Sequence, residues 1–127
     1  MTFIYWLGSA NNRSTGQGGS QAIEDGIILA LSLAAAAKCP LTQLHHWLQC
    51  YQDARKPRAD QAAKASHITG KAYDDLIFSE QGMKFLENAY SWINENDLFN
   101  DFCAIVKQSP ELRTHQTLLD SLISAFK

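Results

Sequence analysis

The sequence predicts a mainly α fold with one short strand near its start, and three observations lead there. Apolar residues return every three or four positions after Ser20, after Pro40 and again towards the C-terminus, the period of a helix with one buried side. Phe3–Leu7 is apolar throughout and rich in aromatic and β-branched residues, and the strand signal is confined to it. The 127 residues are 46% hydrophobic, which suits one small globular domain over residues 1–127 and exceeds what a disordered tail carries.

The elements follow in chain order. Phe3, Ile4, Tyr5 and Trp6 read as a short buried strand. Gly8 to Ser20 turns to Gly, Ser, Asn and Thr, a loop that ends in Gly16-Gln17-Gly18-Gly19-Ser20. A helix is expected to begin near Gly18 or Gly19, because Ile23, Ile27, Ala30, Leu31 and Ala34 share helical spacing. Ser20 is its expected N-cap, and Glu24 and Asp25 lie near the positive end of its dipole. Pro40 closes this stretch, and Leu41, Leu44, Trp47, Leu48 and Tyr51 stripe a second helix. Pro57 lacks an N–H and is expected to kink or break that helix before Ala59, Ala62, Ala63 and Ala65 restore helical propensity. Two further amphipathic helices are expected at Met83–Val106 and Glu111–Phe126, the second with Leu112, Leu118, Leu119, Leu122 and Ile123 inward.

Charge and run length exclude several function classes. Eleven Lys and Arg against thirteen Asp and Glu leave a net charge of -2, without the basic footprint of a general nucleic-acid binder or a membrane-surface protein. The apolar run Gly26 to Ala37 is well short of the ~20 residues that a bilayer requires, and Phe3–Leu7 is too short for a signal-peptide core. Three cysteines cannot form a closed disulfide framework, so a reducing compartment, the cytoplasm, is expected. Basic residues gather in Tyr51 to Ala72 and acidic ones in Tyr73 to Asp101, which reads as two solvated helix faces.

Few residues suggest chemistry by spacing. Closely set glycines ahead of a helix let backbone N–H groups approach a ligand, yet Gly16, Gly18 and Gly19 form neither a P-loop nor Gly-x-Gly-x-x-Gly. Cys39, His45, His46 and Cys50 lack metal-ligand spacing, and no metal site is expected. Cys103, Trp47 and Trp92 read as packing residues, His67 and His115 as isolated. Residue order alone supports no Cys/His or Ser/His/Asp arrangement, and no catalytic residue is assigned.

The segment Gly16-Gln17-Gly18-Gly19-Ser20-Gln21-Ala22-Ile23-Glu24-Asp25-Gly26 resembles the Gly-Gln-Gly-x-Asn/Ser-x-Ala-Ile/Val-Glu-Asp-Ala/Gly stretch of FAD-dependent monooxygenases of the aromatic-hydroxylase type. Tyr51-Gln52-Asp53-Ala54-Arg55-Lys56-Pro57-Arg58 is similar to the family's Tyr-x-x-x-Arg-x-Pro-Arg stretch. Trp92 to Leu98 is similar to a tail of the salicylate-hydroxylase-like branch. The resemblance covers residues 1–98 and implies the C-terminal part of an FAD-binding domain, a helical fragment of an α/β fold; 99–127 is a helical extension without a counterpart. It implies FAD as cofactor beside the backbone of Gly16, Gln17, Gly18, Gly19 and Ser20, NAD(P)H as co-substrate and a small aromatic substrate. The chain departs from the pattern in lacking Gly-x-Gly-x-x-Gly and in carrying Ser9 where the family has the Asp that holds the ribityl chain, so it is expected to be inactive alone. The alternative expectation is a non-catalytic helical interaction module that associates with a full-length relative.

Overall fold

The computed structural model describes residues 18–74 and 97–126, together with Lys84 and Asn88. All elements among the described residues are helical, in agreement with a mainly α chain. The expected strand Phe3–Leu7 lies outside them. The elements are α1 (Gly18–Ala36), a 3-10 turn (Leu41–Gln43), α2 (Leu44–Asp74), α3 (Leu98–Gln108), a second 3-10 turn (Arg113–His115) and α4 (Gln116–Phe126). The chain divides into two compact units, one of Met1–Gln21 with Arg58–Asn96, the other of Ala22–Pro57 with Asp97–Lys127.

In the second unit, α1 buries Ile28, Leu31, Ser32, Ala35 and Ala36, a stripe at three- and four-residue steps. This stripe is rotated from the one expected: Ile23 is 67% exposed and Ala30 is exposed as well. The helix is apolar almost all round from Ile27 to Ala37, so periodicity alone does not choose its inward side. Ser32 lies within the stripe because its hydroxyl donates to the Ile28 carbonyl at 2.8 Å, which satisfies it without an outside partner. The helix begins at Gly18, which makes Ser20 part of the first turn instead of the N-cap.

Trp47, Cys50, Tyr51 and Arg55 form the buried side of α2 in the same unit. The stripe continues in the first unit with Arg58, Ala59, Ala62, Ser66 and Thr69. Pro57 sits inside this 31-residue helix, so of the expected kink or break the break does not occur, and the division between the two units falls directly after it. Its missing N–H frees the carbonyl of Asp53, one turn earlier, and both residues are exposed, where water can replace the lost bond. Burial of Arg55 and Arg58 also corrects the reading of Tyr51 to Ala72 as one solvated basic face.

Asp97 starts α3. It is extended (φ -95°, ψ 91°), and its carboxylate accepts from the backbone N–H of Asn100 at 3.1 Å. That cap divides the stretch expected to run as one helix over Met83–Val106; Lys84 and Asn88 are helical before it. Phe102 and Val106, one turn apart, are buried, and α3, the 3-10 turn Arg113–His115 and α4 pack on one another. The last stretch buries Leu112, Leu119 and Ile123, while Leu118 and Leu122 are half-buried.

Candidate functional site

The glycine-led start of α1 is the first candidate. Gly18, Gly19 and Ser20 form its first turn, whereas Gly16 and Gln17 lie outside the described residues. Gly19 and Ser20 are exposed. A Cβ added at Gly19 would meet nothing within 4 Å, so one side of the turn is open space. The first N–H groups of a helix have no intrahelical acceptor and sit at the dipole's positive end, worth about half a unit charge. No carboxylate occupies the first turn to neutralise it.

One and a half turns later come Glu24 and Asp25, and the structure brings Arg55 of α2 to both. Arg55 Nε donates to Asp25 Oδ1 at 2.5 Å and Nη1 to Glu24 Oε2 at 3.0 Å. The Arg55 side chain is 3% exposed, those of Glu24 and Asp25 19% and 13%. A guanidinium suits this position because its planar fork presents separate donors to carboxylates on consecutive residues, whereas an ammonium is a point charge. Tyr51, one turn before Arg55, is buried. Burial pushes its phenol up to about 12, Asp25 pushes the same way, and Arg55 opposes both.

The other groupings lie elsewhere in the second unit. A cavity of about 350 Å³ is lined by residues of α2 and of the α3 end, among them His46, Cys50, Asp53, Ser109 and Glu111. His46 Nδ1 stands 4.0 Å from Glu111 Oε2, with both side chains well exposed. The Glu111 carboxyl is held below its ordinary range by its own backbone N–H and by the Ser109 hydroxyl, which donates to it at 3.1 Å. Burial pushes the Cys50 thiol up, opposed by a hydrogen bond with Ser109. Cys39 lies not with His45 or His46 but 3.8 Å from His115 Nδ1. Sequence order held no sign of that pair, whose members are 76 residues apart. Arg55 was visible as one cation in a basic stretch and as the first Arg of the Tyr-x-x-x-Arg-x-Pro-Arg likeness, but its partners lie 30 and 31 positions earlier and were not.

Among the described residues no group of three or more His, Cys, Asp or Glu side chains converges to hold a metal ion, and no helix is long and apolar enough to cross a membrane. No family model, curated protein or solved structure matches the chain.

Proposed function

We propose that this chain is the flavin-facing helical part of an FAD-dependent, NAD(P)H-using monooxygenase of the aromatic-hydroxylase type. The observation that carries the reading is the buried ion pair of Arg55 with Glu24 and Asp25. Each partner belongs to a different one of the two stretches that resemble the family, Gly16 to Gly26 and Tyr51 to Arg58, and a contact between them is what a shared cofactor domain would need. The start of α1 fits the ring-facing share of such a cofactor: its first turn is exposed, without carboxylates, and open at Gly19.

The chemistry that bound FAD supplies is acceptance of a hydride from NAD(P)H and activation of oxygen for hydroxylation of a small aromatic substrate. This chain's contribution is positional and electrostatic. The N–H groups of Gly18, Gly19 and Ser20 offer donors and a partial positive charge to an anionic ring edge, and Gly19 lets the ring come close because it has no Cβ. Gly16 and Gln17, which the resemblance also sets beside the flavin, lie outside the described residues. Arg55 holds α1 to α2 within the second unit.

The test joins the chain at Gly16 to the dinucleotide-binding part of a salicylate-hydroxylase-like enzyme and measures flavin content and NAD(P)H oxidation. Gly19→Val is expected to abolish most flavin-dependent oxidation while leaving the helical circular dichroism intact, because the added side chain occupies the open space. Full flavin occupancy with undiminished oxidation in Gly19→Val would refute the assignment and favour the interaction-module reading. The chain by itself is expected to bind FAD weakly by isothermal titration, since a few backbone donors must offset the entropy of association unaided.

A further inference from the structure

We propose that Cys39 and His115 form a thiol-exchange site, in which the imidazole takes the thiol proton and the sulfur attacks a small disulfide. The site is independent of the flavin reading.

The geometry is specific. Cys39 Sγ lies 3.8 Å from His115 Nδ1, and both side chains are half-buried, close enough to water for a small reagent to arrive. The thiol stands on an ordered turn: the N–H groups of Ala37, Lys38 and Cys39 donate to Leu33, Ala35 and Ala36 carbonyls at 2.9 to 3.1 Å. Pro40 follows and restricts the Cys39 backbone to extended conformations. His115 is fixed from the other side. It closes the 3-10 turn Arg113–His115, its N–H donates to the Leu112 carbonyl at 2.9 Å, and the ring of Trp47 lies tilted against it at 6.3 Å between centroids. Trp47 is fully buried, so the ring that packs against His115 is itself held in the core.

The three thiols differ in setting. All three cysteines are free. Burial pushes the thiols of Cys50 and Cys103 up, which lowers the share of the nucleophilic thiolate, and Cys50 is 4% exposed. Only Cys39 has an imidazole hydrogen-bond partner among the described residues. A thiol next to a histidine is the arrangement that activates sulfur nucleophiles.

The step balances without an added oxidant beyond the disulfide itself. The Cys39 proton moves to His115 Nδ1, a bond forms between Cys39 Sγ and one sulfur of the reagent, and the reagent's S–S bond breaks. The proton that His115 held passes to the leaving thiolate when that is glutathione, and to water when it is the more acidic nitrothiobenzoate. Cys39 is oxidised to a mixed disulfide, and half of the reagent is reduced to a thiol.

The experiment treats the folded chain at pH 7 with limiting 5,5′-dithiobis(2-nitrobenzoic acid), and in parallel with oxidised glutathione, and locates the modified cysteine by peptide mass spectrometry. Cys39 is expected to react first, at least about tenfold faster than Cys50 or Cys103. His115→Gln is expected to slow Cys39 by roughly tenfold and leave the slower reactions of the other two unchanged. Equal reaction at all three thiols, or preference for Cys50 or Cys103, would overturn the proposal, as would a folded His115→Gln chain in which Cys39 reacts at the original rate. The order of the thiols is read on the unsubstituted protein, so the proposal remains open to refutation even where His115→Gln does not fold.

Discussion

Replacing Arg55 by Met tests the contact on which the functional reading rests. The guanidinium is 3% exposed, and the two carboxylates it binds are 13% and 19% exposed, so the pair has little access to solvent screening. Taking away the cation leaves two partly buried carboxylates without their counter-charge, a loss of about 3–5 kcal/mol for broken buried pairs, against ~0–1 kcal/mol for exposed ones. Small domains have a total stability of about 5–15 kcal/mol, so the larger figure removes a third or more. With a urea dependence of about 2 kcal/mol per molar, the midpoint followed by circular dichroism at 222 nm should fall by roughly 2 M. The triple variant Arg55→Met, Glu24→Gln, Asp25→Asn leaves no bare charge and should recover much of the loss. A shift below about 0.5 M for Arg55→Met, or a triple variant no better than the single one, would refute the claim that this pair joins α1 to α2. Glu111→Gln breaks the exposed contact with His46, weakens the hydrogen bond from Ser109 and serves as the control, with a midpoint shift much smaller than that of Arg55→Met expected.

Three other outcomes are expected. Gly26 lies exposed inside α1 with nothing within 4 Å of an added Cβ, so Gly26→Ala should stabilise the chain by about 0.5–1 kcal/mol in the same urea assay. Asp97→Ala removes the carboxylate that caps α3 and should cost about 1 kcal/mol, with accelerated amide exchange at Asn100. The Tyr51 phenol is raised from 10 to about 12, so the folded state holds its proton longer than the unfolded one. The stability this provides is complete below pH 10 and falls as the pH rises towards 12; absorbance at 295 nm should show one late-ionising tyrosine that Tyr51→Phe removes.

Helix content was legible because spacing and punctuation act locally. The start of α1 at Gly18 follows from the glycine pair and the apolar run behind it, and the turn after Ala36 from Pro40. The inward side of α1 was not legible, since Ile27, Ile28, Leu29 and Leu31 surround the axis. Pro57 does not end α2, since the carbonyl its missing N–H frees belongs to exposed Asp53, where water can take up the bond. At the candidate sites, Gly18, Gly19 and Ser20 could be picked out as a local pattern, whereas the partners Arg55 with Glu24 and Asp25, and Cys39 with His115, depend on tertiary approach.

The Arg55 contact also bears on how α1 packs within the second unit. Successive side chains on a helix point about 100° apart, so Glu24 and Asp25 diverge, and one guanidinium can meet both only at a narrow range of rotations of α1 about its axis. Apolar burial cannot impose that choice on a helix that is hydrophobic on nearly every side. The two carboxylates do, because turning either away gives up its charge-assisted hydrogen bond with the buried guanidinium of Arg55. Once the rotation is set at Glu24 and Asp25, it is set for the stretch of α1 that packs within the second unit, and it turns Ile28, Leu31, Ser32 and Ala35 inward. Which stripe of this apolar stretch is buried is therefore decided by the charges of Glu24, Asp25 and Arg55 together with its apolar packing, a choice that hydrophobic periodicity alone leaves open.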